Sequence, residues 1–95
     1  MARVELSRVA LEDIARLEAT HSLPRDTRGR IARSIGPLAD FPRLGRLVET
    51  GRWKGFRFLL GPWRWMIVLY DYYEDEDRVV IATVQDGRAS TAPVR

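Results

Sequence analysis

The apolar positions of this chain change their period part-way along it. Ala10, Leu11, Ile14 and Leu17 recur at helical spacing, with Arg8, Glu12, Arg16 and Glu18 on the other faces. Ile31, Ile35 and Leu38 then repeat at i, i+4 and i+7, which predicts a second helix. From Trp53 onward the period drops to two. Phe56, Phe58 and Leu60 share one strand face, with Arg57 and Leu59 on the other. Trp65, Ile67 and Leu69 alternate with Met66, Val68 and Tyr70 along a longer run, and Arg78–Gln85 forms a third. Val4-Glu5-Leu6 alternates just long enough for a brief edge strand.

The residues between these runs supply the stops. Ser7 stands where an N-cap belongs, and Pro24 prevents the first helix from continuing past Thr20–Ser22. Asp26 or Thr27 can cap the second helix. Gly36-Pro37 interrupts it, because proline inside a helix costs about 3 kcal/mol or more. Either the helix kinks there, or Pro37 opens a separate last turn. Phe41–Arg46 turns the chain, Leu47–Arg52 is a loop containing Gly51, and Gly61-Pro62 marks a tight turn. Asp71–Asp77 reads as a solvated hairpin connection, and Ala89–Arg95 as a fraying tail. The expected fold is α+β: a short N-terminal strand, a helical hairpin and a three-stranded antiparallel meander, β-α-α-β-β-β. The near-continuous apolarity of Trp63–Tyr73 predicts a central strand covered on one side by helices and partly on the other.

Composition narrows the function. Ninety-five residues make one domain, 1–95, and 45% hydrophobic with 31% charged residues excludes a disordered chain. The absence of cysteine removes disulfides, thiolate chemistry and cysteine-type zinc sites. Met1–Glu5 has no signal-peptide apolar region and no run reaches membrane-spanning length, so no membrane association and a cytoplasmic location are expected. Net charge is +3, and fifteen of the sixteen basic residues are arginine, Lys54 being the exception. Codon bias explains that excess, and so does an arginine-lined face for nucleic acid or an acidic partner; both can hold.

Leu6-Ser7 with the following Ala10-Leu11-x-x-Ile14 helix resembles the opening of toxins of the ParE/RelE superfamily. Phe41-Pro42-Arg43-Leu44-Gly45-Arg46 resembles their passage from helices to sheet, and Trp65-Met66-Ile67-Val68-Leu69-Tyr70 their central strand. Arg78-Val79-Val80-Ile81 through Asp86-Gly87-Arg88 is similar to the closing strand and its basic turn. The resemblance implies a curved antiparallel sheet and a toxin neutralised by a cognate antitoxin, in a toxin–antitoxin hetero-oligomer. It further implies one of two targets: DNA gyrase for the ParE branch, or mRNA on the ribosome for the RelE branch.

The residues favour the ParE branch. RNA cleavage of the RelE type needs basic groups on the scissile phosphate and a group that moves protons near neutral pH. Arg57, Arg64 and Arg88 could supply the first, as catalytic residues of a ribonuclease, although Met66 occupies one plausible match to the third strand's basic position. No tyrosine or histidine follows residue 73 to supply the second. His21, the only histidine, falls between the helices and reads as a solvated loop residue. Glu74–Asp77 is a solvated turn rather than a metal cage, and neither metal nor cofactor is expected. Trp65 reads as core. Trp53 and Trp63, near strand ends beside Lys54, Arg57 and Arg64, are the candidate partner-binding residues.

Overall fold

In the computed structural model, which describes residues 1–88, the change of period becomes a change of layer. Strand β1 is Arg3–Leu6, helix α1 Arg8–Thr20 and helix α2 Thr27–Ile35, followed by a 3-10 turn at Gly36–Ala39. Strands β2 (Arg46–Leu47), β3 (Arg57–Leu60), β4 (Met66–Tyr73) and β5 (Arg78–Asp86) complete the chain. The sheet order is β1-β5-β4-β3-β2, antiparallel throughout except that β1 runs parallel to β5. The tail at 89–95, where fraying was expected, lies outside the described residues. No helix among the described residues is long and apolar enough to cross a membrane.

Local chemistry explains most boundaries. The Ser7 hydroxyl caps α1 by accepting from the Ala10 N–H at 3.0 Å. Asp26 holds the N-cap position of α2 without capping it, because its carboxylate pairs with Arg30 at 2.9 Å instead. Pro37 sits in the first turn of the 3-10 segment, so Gly36-Pro37 splits the helix rather than kinking it.

The sheet departs from the expected meander in three places. A two-residue strand, β2, forms inside the segment expected to be turn and loop, pairing Arg46 with Phe58 and Leu47 with Arg57. The Trp53–Leu60 run narrows to Arg57–Leu60, because Val48 and Phe56 close a loop through Val48 N–H to the Phe56 carbonyl (2.8 Å) and Gly55 N–H to the Val48 carbonyl (2.9 Å). Gly55 makes that closure at φ 93°, a conformation that favours glycine. Finally, β4 ends at Tyr73 as the Trp63–Tyr73 run predicted but begins only at Met66, and the chain turns over the 3-10 segment Glu74–Glu76.

Alternation along β4 divides the core. Met66, Val68 and Tyr70 pack with Ala10, Ile14, Leu17, Ile31, Ile35 and Leu38 of the helical layer. Ile67 and Leu69 face the other way and pack with Val48, Trp53, Phe56 and Phe58 under the 48–56 loop. Every residue from Met66 to Tyr70 is buried, so this central strand is covered by helices on one side, as expected, and more fully on the other than the partial cover the sequence implied. Trp65 is a correction. It precedes β4 and joins the helix-side cluster, not the face of Ile67 and Leu69.

One buried carboxylate completes the edge of β5. Strand β1 pairs with it only as far as Ile81. Beyond that point the Ser7 hydroxyl donates to the Ala82 carbonyl at 2.9 Å. Asp13, only 5% exposed, accepts from the Val84 N–H at 3.1 Å and from the Thr83 hydroxyl, and pairs with Arg16. Helix α1 thus does for the second half of β5 what β1 does for the first.

Candidate functional site

The predicted partner-binding residues do not form one patch. Trp53 is half-buried in the cluster under the 48–56 loop, edge-on to Phe56 with ring centroids 5.2 Å apart. Trp63 belongs to the helix-side cluster, with the Arg30 guanidinium 5.7 Å from its ring centre. Since these clusters lie on opposite faces of β4, the two tryptophans serve different surfaces. Lys54 and Arg64 are exposed in separate turns.

The predicted arginine trio does not converge either, because Arg57 lies apart from Arg88. Arg57 stands opposite Tyr70 on β4, and its Nη1 donates to the carbonyls of Gly45 (2.9 Å) and Arg43 (3.3 Å). Arg88 follows Asp86, which stands opposite Met66. Four residues along β4 and two strand spacings across it separate Arg57 from Asp86, roughly 16 Å of backbone. Arg57 also borders a polar recess of about 140 Å³ whose other arginine, Arg43, is paired with Glu74 at 3.0 Å.

A tighter constellation forms where α1 ends against the end of β5. His21 is not solvated: its side chain is 25% exposed, and its ring stacks on Trp65 with centroids 4.4 Å apart and planes 14° from parallel. Its Nε2 lies 3.0 Å from Asp86 Oδ2, and its Nδ1 lies 2.9 Å from the Thr20 hydroxyl oxygen. Arg88 grips the same carboxylate along one edge, Nε to Oδ1 and Nη2 to Oδ2, both at 3.0 Å. The Arg88 backbone N–H adds a third bond to Oδ1 at 2.9 Å, and the guanidinium lies 5.2 Å from the Trp65 ring centre. Hydrogen bonds from Arg88 above all, then from its backbone and from His21, hold the Asp86 carboxyl well below the usual carboxylate range despite partial burial. The same pairing raises Arg88.

Both ring nitrogens of His21 are engaged, so in this arrangement it braces Asp86 rather than offering a free nitrogen to a reacting group. Sequence reasoning missed Asp86 and misplaced His21 because sixty-five positions separate them and only the packing of α1 along β5 brings them together. Among the described residues no group of three or more His, Cys, Asp or Glu side chains is placed to hold a metal ion.

No family model and no curated protein matches the sequence. Solved structures match the fold over nearly its whole length. The toxin–antitoxin complex RelBE2 from Mycobacterium tuberculosis contains a chain 22% identical, with 90% of this chain and 96% of that one aligned at a TM-score of 0.63. The chromosomal ParDE system of P. aeruginosa aligns over 90% and 96% at 13% identity and a TM-score of 0.68. The intact E. coli RelBE complex aligns over 94% and 100% at 11% identity and a TM-score of 0.66. The chain therefore has the ParE/RelE toxin fold. RelE-type and ParE-type structures fit it about equally well, so the fold does not choose between the branches.

Proposed function

We propose that this chain is the toxin of a type II toxin–antitoxin pair, that it acts in the cytoplasm by binding and inhibiting DNA gyrase, and that a cognate antitoxin neutralises it. The general reading is supported by the fold, whose matches include toxins solved together with their antitoxins. The choice of a binding toxin over a nuclease rests on one observation, the separation of Arg57 from Arg88 across the sheet. A phosphate-holding site of the RelE kind needs such groups converging on one position, and here Arg57 is spent on backbone carbonyls. Exposed Phe41, Leu44 and Leu47, beside the edge strand β2, offer an apolar surface for a bound polypeptide.

The alternative, a ribosome-dependent endoribonuclease, gains one point from the structure: the only histidine and an exposed arginine lie on the same carboxylate. A paired assay separates the readings. Purified protein is expected to block gyrase supercoiling while leaving ribosome-bound mRNA intact. Cleavage of the mRNA without gyrase inhibition overturns the gyrase reading, and induced expression that leaves growth unaffected overturns the toxin reading altogether.

A further inference from the structure

The hydrogen bonds around His21 call for one proton more than a neutral imidazole carries. We infer that His21 is a proton-operated latch: its imidazolium form ties the end of α1 to the end of β5, and loss of one ring proton loosens that tie. The latch belongs to the fold itself and stands or falls apart from the toxin reading.

Donors and acceptors around the ring can be counted. Arg88, above all, holds the Asp86 carboxyl well below the usual carboxylate range, so Asp86 is an anion wherever an imidazole titrates. An ionised carboxylate only accepts, and Nε2 therefore carries a proton where it meets Oδ2 at 3.0 Å. On the other side of the ring, Nδ1 lies 2.9 Å from the Thr20 hydroxyl oxygen. That hydroxyl has a single proton, which it donates to the Arg16 carbonyl, one turn back along α1, at 3.0 Å. Thr20 then meets Nδ1 as an acceptor, and Nδ1 has to donate as well. Only the imidazolium donates from both nitrogens. A neutral ring, protonated on Nε2 for Asp86, turns a bare lone pair towards Thr20. Either Thr20 gives up the Arg16 carbonyl or the Nδ1 bond is lost, and the bond to Asp86 loses its ionic component. The same count excludes Thr20 as a nucleophile activated by His21, because a ring that donates to the hydroxyl takes no proton from it.

The surroundings suit a removable cation. His21 is the C-cap of α1, at the negative end of the helix dipole, and no basic side chain occupies that helix's last turn. Trp65 stacks a ring face on the imidazole. Asp86 favours the ring's charge, while Arg88, bound to the same carboxylate and lying over the same indole, opposes it. One carboxylate thus serves two cations, so the ring proton is held but not locked. Other charges nearby along the chain are mostly paired elsewhere: Arg16 with Asp13, Glu18 with Arg28, and Asp26 with Arg30. Arg25, in the connection to α2, and Arg64, beside Trp65, are exposed. The latch joins three segments far apart in sequence, and its helix end is closed by the His21 N–H on the Leu17 carbonyl (3.0 Å) and the Leu23 N–H on the Glu18 carbonyl (3.1 Å). Loosening is read at those two amides.

The test uses the full chain, labelled with nitrogen-15, at about pH 5.5 and about pH 8, on either side of the imidazole range. In acid both ring nitrogens are expected to carry protons shielded from solvent exchange, and in base the remaining proton is expected on Nε2. A neutral ring protonated on Nδ1 overturns the donor count. The protonated form has one more hydrogen bond and an ion pair, so protection is present in acid and is lost as the ring is deprotonated. Exchange of the His21 and Leu23 amides, corrected for the intrinsic effect of pH, is expected to be about threefold to tenfold slower in acid. Equal or faster exchange in acid overturns the latch. Thr20 is exposed, so Thr20→Val removes the hydroxyl without opening the core. It is expected to abolish both the shielding of the Nδ1 proton and most of the acid gain, whereas Thr20→Ser keeps both. A full acid gain in Thr20→Val overturns the part assigned to Thr20. His21→Gln is expected to remove the difference between the two pH values, and a gain that survives there belongs to another group and refutes the inference.

Discussion

Replacing Gly45 with alanine should destabilise the protein more than any other single methyl group added to the Phe41–Arg46 segment. A Cβ at Gly45 would stand 2.6 Å from Tyr70 Cε1, 2.7 Å from the Tyr70 hydroxyl oxygen and 2.8 Å from the Phe58 carbonyl oxygen. Gly45 does not adopt a positive φ, so the position demands space rather than backbone freedom. Neither neighbour can retreat. Tyr70 is fully buried in the middle of β4, and Phe58 O belongs to the β3 backbone. Pushing the ring aside would break the 2.7 Å bond from the Gly45 N–H to the Tyr70 hydroxyl and leave a buried donor without a partner. Overpacking costs about 1–3 kcal/mol and the orphaned N–H about 1–3 more, so a loss of about 2–6 kcal/mol is expected. For a domain of this size that lowers Tm by roughly 8 °C or more. Urea unfolding of Gly45→Ala, Tyr70→Phe and the double variant measures the coupling. Tyr70→Phe already gives up the hydroxyl and its bond, so the double variant should be more stable than the sum of the singles predicts, by about 1–3 kcal/mol. A Gly45→Ala loss below about 1 kcal/mol, or strict additivity, refutes the reasoning.

Three further outcomes follow from the same contacts. Asp13→Ala strips the Val84 N–H and the Thr83 hydroxyl of their shared acceptor and should cost about 2 kcal/mol or more, with Asp13→Asn recovering part of it; a Tm within 2 °C of wild type for the alanine variant would contradict the edge-completing role. Asp86 is ionised more readily folded than unfolded, so its contribution to stability is present above about pH 4 and is lost as pH falls below that towards its depressed folded value. Asp86→Asn should accordingly flatten the acid limb of the stability curve, and superimposable limbs for the two proteins would disprove the linkage. Arg57→Met keeps the apolar stem but loses the bonds to the Gly45 and Arg43 carbonyls, which should cost about 1–2 kcal/mol and speed amide exchange in the 43–47 turn; loss of toxicity with stability unchanged would instead mark Arg57 as a ligand-contacting group.

What the sequence made legible was whatever a short stretch decides. Helical spacing through Ala10, Ile14 and Leu17 needs no distant partner, and neither does the stop at Pro24; both appear where they were expected. Pairing partners are another matter. The two-residue β2 exists only because Phe58 and Arg57 offer it an edge, and nothing in Arg46-Leu47 announces that. Strand β4 ends at Tyr73 as expected but starts three residues late, at Met66, where its pairing with Asp86 of β5 begins. Trp65 was assigned to the wrong face for a related reason. Alternation was extended back past the point where the strand begins, into a turn whose side chains no longer alternate.

The arginine excess shows the same limit in electrostatic form. Among the described residues, seven arginines (Arg3, Arg16, Arg28, Arg30, Arg43, Arg78 and Arg88) form ion pairs. Arg57 is turned onto backbone carbonyls. Much of the charge that composition suggests for a partner is thus consumed internally, and mostly by exposed pairs worth under about 1 kcal/mol each. A count of arginines therefore says little about where a ligand binds. A better criterion is whether a guanidinium is held on one edge and open on the other, since holding removes the entropy cost and openness supplies the donors. Of the three candidate arginines named from the sequence, Arg57 is held with no second edge shown to be open, and Arg64 is open without being held. Arg88 alone meets both conditions, and it does so through Asp86 and His21, the two residues that a linear reading had no reason to join.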